Sequence, residues 1–88
     1  MFATLPFEPL VFRAISRDGR IARHYEIEAA HDLFGGVIVE TRWGRIGQRY
    51  RECQRFFASE EEAASYVRAI LDRRASAERR IGVPYRVF

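Results

Sequence analysis

Between Leu10 and Phe57 the strand-like runs are separated only by short, glycine-bearing segments, none long enough to hold a crossover helix. Neighbouring strands must therefore run antiparallel. The first run, Leu10 to Arg17, carries Val11, Phe12 and Ile15, and the Asp18-Gly19 after it is the dipeptide preferred by a tight primed hairpin turn. In the returning run, Ile21 to Ala29, the residues Tyr25, Ile27 and Ala29 alternate with Glu26 and Glu28, the period of two that gives a sheet one buried and one wetted face. Ala30 to Phe34 reads as a loop ending in Gly35-Gly36. The β-branched run Val37-Ile38-Val39 then opens a third strand reaching about Trp43. After a turn from Gly44 to Gly47, Tyr50 to Phe57 supplies the fourth strand of a meander.

At Ser59 the period changes. Ser59-Glu60-Glu61-Glu62 matches a capping box, and Ala63, Val67, Ile70 and Leu71 then fall on one helical stripe. Glutamates fill the first turn, while Arg73, Arg74, Arg79 and Arg80 crowd the end, complementing the helix dipole at both termini. Gly82 reads as the stop, and Val83 to Phe88 as a short edge strand, since Pro84 is tolerated only at an edge. The expectation is an α+β fold: a small antiparallel sheet of four to five strands with one C-terminal α-helix packed on one face. Residues 1–9, with Pro6 and Pro9, read as an extended arm, and residues 10–88 as a single domain.

A chain of 88 residues, 48% hydrophobic and 31% charged, has room for one core and enough apolar mass to fold as a globular module. Deep cofactor clefts, and with them a cofactor or a small-molecule substrate, are not expected. The single cysteine, Cys53, can close no intramolecular disulfide and build no multi-thiolate zinc site. A reducing compartment fits that usage, no stretch reads as a signal peptide or membrane span, and the expected location is cytoplasmic without membrane association.

The formal charge is +3, and all fifteen basic residues are arginines. That usage reads first as the mark of a GC-rich genome, though it makes every cation a planar fork suited to phosphate and carboxylate. Catalytic signals are sparse. His24 and His31 lack the paired spacing of a helical metal motif, and a Cys53–His24 dyad would require the fold to bring the two together. Glu60, Glu61 and Glu62 point in different directions around a helix and serve the cap and dipole. Gly44-Arg45-Ile46-Gly47 matches the GxxG of KH domains, but that loop joins two helices there, and strand-like residues flank it here.

The densest basic and aromatic interval runs from Arg42 to Arg55. Arg42, Arg45, Arg49, Arg51 and Arg55 stand there against the single acid Glu52, beside Trp43, the only tryptophan. On a regular fourth strand Arg49, Arg51 and Arg55 would share one face. Such a surface can neutralise phosphates while the indole stacks on a sugar or base. The plainer reading makes Trp43 a core residue and the arginines the solvated side of a hairpin.

Trp43-Gly44-Arg45-Ile46-Gly47 resembles the signature of the WGR domain family. His24-Tyr25-Glu26-Ile27-Glu28 is similar to that family's aromatic-rich second strand, and Phe57-Ala58-Ser59-Glu60-Glu61-Glu62-Ala63 to the entry into its single helix. The resemblance spans roughly Leu10 to Gly82 and implies the same sheet-and-helix architecture. Members occur in poly(ADP-ribose) polymerases, where the module helps bind DNA ends, and as small bacterial proteins. The resemblance implies that Trp43 stacks on a sugar near a DNA terminus and that Arg45 contacts DNA or a neighbouring domain. No catalytic residue carries over. The expected function is that of a stand-alone, non-enzymatic nucleic-acid-binding module recognising DNA ends or nicks, with Arg42, Arg49, Arg51 and Arg55 supporting Trp43 and Arg45. The alternative is a protein-interaction adaptor that uses the Trp43/Arg45 surface as its hot spot.

Overall fold

The computed structural model describes residues 5–88. Four strands come first: β1 (Leu10–Ile15), β2 (Ala22–His31), β3 (Val37–Arg45) and β4 (Arg51–Phe57). Helix α1 (Glu60–Ala75), a short α2 (Ala77–Ile81) and strand β5 (Arg86–Val87) follow. All strand pairs are antiparallel in the order β4-β3-β2-β1-β5, so β4 and β5 are the sheet's edges. The chain is thus the five-stranded α+β arrangement that the short connections and the change of period at Ser59 predict.

Two strands outrun the apolar pattern. The Ile21–Ala29 alternation and the Val37–Trp43 run lengthen to His31 and Arg45, because β2 and β3 stay in register from Arg23 opposite Arg45 to His31 opposite Val37. Backbone pairing continues where side-chain patterning stops. The β1–β2 turn is also wider than a primed two-residue turn. Among the described residues only glycines have positive φ, so Asp18 cannot take the first position of that turn type. Ser16 and Ile21 close a four-residue loop instead, with the Ile21 carbonyl accepting from the Ser16 amide at 2.8 Å. The Asp18 carboxylate accepts from the Ser16 hydroxyl at 2.7 Å and the Arg20 amide at 3.0 Å. These two bonds, the hydroxyl first, hold its carboxyl below its ordinary pKa.

The helices cover the face that carries Leu10, Phe12, Tyr25, Ile27, Ala29, Val37, Val39 and Trp43. Ser59 caps α1 as expected, its Oγ accepting from the Glu62 amide at 3.2 Å. Ala63 and Val67 are fully buried and Ile70 and Leu71 pack at the margin, which bears out the apolar stripe. Burying Val67 alone contributes about 1.5–3 kcal/mol. The arm is tied down in its described part: Leu5 is a core residue and the Pro6 carbonyl accepts from the Ala29 amide at 2.8 Å. Residues 1–4 of the expected arm lie outside the described residues.

The single expected helix breaks at Ser76. That residue takes φ −89° and ψ 3°, and its hydroxyl donates to the Arg73 carbonyl at 3.0 Å, the local competition that lets serine interrupt a helix. Ala77 is buried beyond the break, and Gly82, in the left-handed conformation, ends α2 where the sequence predicts the stop. The chain then returns to pair with β1, placing Tyr85 against the core. No helix among the described residues is long and apolar enough to cross a membrane.

Candidate nucleic-acid interface

The pleat of β3 sends Trp43 and Arg45 to the helix-covered side and the intervening Gly44 to the other. Trp43 lies opposite Tyr25, their ring centroids 6.3 Å apart and 27° from coplanar. The indole is half-buried. One side packs against the core cluster, and the residue borders a groove of about 520 Å³ at the end of the sheet.

Three parts of the chain supply the groove's cations. Arg20 comes from the β1–β2 turn, Arg23 and Arg45 from the paired ends of β2 and β3, and Arg73, Arg74 and Arg80 from the two sides of the helix break. Tyr25, Trp43 and Tyr85 add aromatic surface, and no carboxylate lines the groove. Of these six arginines only Arg20 meets a carboxylate among the described residues, Asp18 at 3.6 Å. Like charges focused in a cleft raise the local concentration of anions.

Arg45 is also a tie within the fold. Its two terminal nitrogens donate to the Arg20 and Gly19 carbonyls, each at 3.0 Å, so the end of β3 is fastened to the β1–β2 turn. Arg74 lies across the Tyr25 ring, its Cζ 3.9 Å from the centroid, and 5.5 Å from that of Tyr85.

The expected site residues are distributed unequally. Trp43 and Arg45 both line the groove, and Arg51 stands opposite Trp43 in the β3–β4 register. Arg51 and Arg55 share the helix-covered side of β4, but Arg55 sits farther along, its Cζ 5.6 Å from the Tyr66 ring on α1. Burial pushes the Tyr66 hydroxyl above its ordinary pKa. Arg49 precedes β4 and shares a separate shallow depression with Arg42, Tyr50 and Glu52. Arg42 projects to the opposite face and pairs with Glu52 at 3.1 Å. The groove residues Arg20, Arg23, Arg73, Arg74, Arg80 and Tyr85 fall outside the sequence-predicted interval. Only the register of Arg23 with Arg45 could have pointed to one of them.

On the open face His24 is buried, stacked on Tyr50 with centroids 4.5 Å apart and ring planes within 2°. Its Nδ1 accepts from Arg13 at 3.2 Å, leaving Nε2 to donate to Glu26 at 2.7 Å. Cys53, opposite Thr41, lies on the helix-covered side, so the sheet itself separates the two members of the conceivable dyad. Gly44 to Gly47 belongs to the β3–β4 hairpin, as the flanking strands predict, and not to a helix–helix loop.

The family model of the WGR domain matches residues 9–78. No curated protein and no solved structure matches the chain.

Proposed function

The chain belongs to the WGR domain family, generally a nucleic-acid-binding module that is not itself catalytic, and on that premise we propose that it binds DNA at ends or nicks. The observation that carries this reading is the half-buried Trp43 at the border of a groove with six arginines and no carboxylate. An end offers what intact duplex withholds, a terminal sugar and base with one face unstacked, and a nick offers the same wherever the stack opens at the break. Trp43 stacks on that face, Arg45 meets the adjoining backbone, and Arg51 flanks them. Arg49 and Arg55 contribute less, and Arg42, which faces the other side of the sheet and is neutralised by Glu52, takes no part.

Four or so phosphate contacts imply a log–log salt slope of about −3 to −4. The test is a titration of the protein with blunt, nicked, single-stranded and covalently closed circular DNA, following the emission of Trp43. Quenching by blunt and nicked duplex, but not by closed circles, is the expected result. Equal quenching by closed circles would remove the preference for ends, and no response to any DNA would remove the reading altogether.

A further inference from the structure

Arg74 differs from the other arginines of the groove in how it is held. Its guanidinium lies over the Tyr25 ring, with the centroid of the Tyr85 ring 5.5 Å away, and its Nε is buried with no hydrogen-bond partner among the described residues. An unpaired buried donor is destabilising, so attraction to the two rings must hold the fork in place. The position of the fork is therefore set before any ligand arrives, and little side-chain freedom remains to be lost on binding.

Its neighbours extend the same surface. Neither Arg73, Arg74 nor Arg80 forms an ion pair with a carboxylate among the described residues, and all three line the groove. The end of a helix is ordinarily a poor place for an anion, because its last carbonyls carry partial negative charge. Here three of those carbonyls, Asp72, Arg73 and Arg74, already accept bonds. The Asp72 carbonyl accepts from the Ser76 amide at 3.1 Å, and the Arg73 carbonyl accepts from both the Ser76 hydroxyl and the Arg80 guanidinium. Arg80 also donates through Nε to the Ser76 hydroxyl at 3.1 Å, which holds it folded back over the break. Three full positive charges thus stand at a helix end most of whose terminal carbonyls are already occupied.

We infer that this helix-side wall is a seat for one phosphate group, centred on Arg74 and completed by Arg73 and Arg80. The inference deepens the nucleic-acid reading and rests on it: while Trp43 holds a terminal nucleotide at the sheet side, the seat takes a backbone phosphate from the same DNA across the groove. Planar forks suit this role, since a phosphate accepts two parallel N–H bonds from one guanidinium. The same chemistry would accept free inorganic phosphate, and the test separates the two sources.

The arginine Nε–Hε resonances of ¹⁵N-labelled protein are followed in two titrations at fixed ionic strength, one with nicked duplex and one with inorganic phosphate. Arg74→Gln identifies the Arg74 signal by its loss. Duplex affinity is measured in parallel over a range of salt for wild type, Arg74→Gln and Arg42→Gln. The expected result is that the duplex shifts the Arg74 signal and that Arg74→Gln binds roughly tenfold more weakly, with a salt slope shallower by about 0.9. Arg42→Gln should bind as wild type does. Should Arg74→Gln fail to fold, Arg73→Gln combined with Arg80→Gln removes the exposed part of the seat and should flatten the slope by a similar amount.

If wild type binds duplex while the Arg74 signal stays still and the variants keep the full slope, the seat is overturned and the nucleic-acid reading survives. If wild type binds no DNA but inorganic phosphate shifts Arg74, the seat stands as one for a free anion and the DNA reading falls. No shift with either ligand overturns the seat.

Discussion

The two faces of the sheet use the same side chain in opposite ways. On the open face the guanidinium of Arg42 meets Glu52, and that of Arg13 donates to His24, which bonds in turn to Glu26. On the helix-covered side, Arg23, Arg45, Arg73, Arg74 and Arg80 gather round one groove without a carboxylate among the described residues. The difference teaches that a count of arginines measures neither binding nor stability. What matters is whether the fold has already supplied each cation with its anion. Around Trp43, Gly44 and Arg45 the division follows from the pleat alone, the outer two residues serving the groove and the middle one the open face.

The largest effect expected of a single change is on the groove side. Trp43→Ala should weaken binding to a labelled nicked duplex roughly 5- to 150-fold by anisotropy, the loss of about 1–3 kcal/mol that stacking on one base contributes. Unchanged affinity in a folded variant would erase the functional contrast between the faces. Gly44→Ala probes the open face from the same strand. Gly44 has φ +157°, and a Cβ there would stand 3.2 Å from Cδ1 of Tyr50, the ring that stacks on His24. A loss of about 1–3 kcal/mol in urea unfolding is expected from the strained backbone and the displaced ring. A variant as stable as wild type would show that the Tyr50–His24 stack does not depend on the missing side chain. The smallest effect belongs to the paired cation. Arg42→Gln should leave thermal stability within about 0.5 kcal/mol, because an exposed pair contributes little, and should leave DNA affinity unchanged. A clear loss of affinity would mean that Glu52 does not neutralise Arg42 when DNA is near.

Much of this architecture is legible in the order of residues because it is set locally. Alternation from Tyr25 to Ala29, the Ser59 cap and the Gly82 stop each act within a few positions, and each appears where expected. Trp43 and Arg45 are legible as a pair for the same reason. The rest of the groove is not. Arg20 and Arg23 reach it through the width of the first turn and the register of β2 on β3, and Arg73, Arg74 and Arg80 through a helix break made by one serine hydroxyl. Those arginines read in sequence as complements to the helix dipole, a role that says nothing about which way they face. Arg42 misleads for the converse reason. Its partner Glu52 lies ten positions away, and the two meet only because the hairpin sets them opposite one another.

The outer margin of β4 leaves seven residues of main chain with no strand beside them among the described residues, the kind of border along which sheets stick to one another. Its side chains are ill matched for self-recognition. A second copy laid against it symmetrically about Gln54 would set Arg51 against Phe57 and Glu52 against Phe56, so neither charge would find an opposite and neither ring an apolar companion. In that register the margin does not template its own stacking.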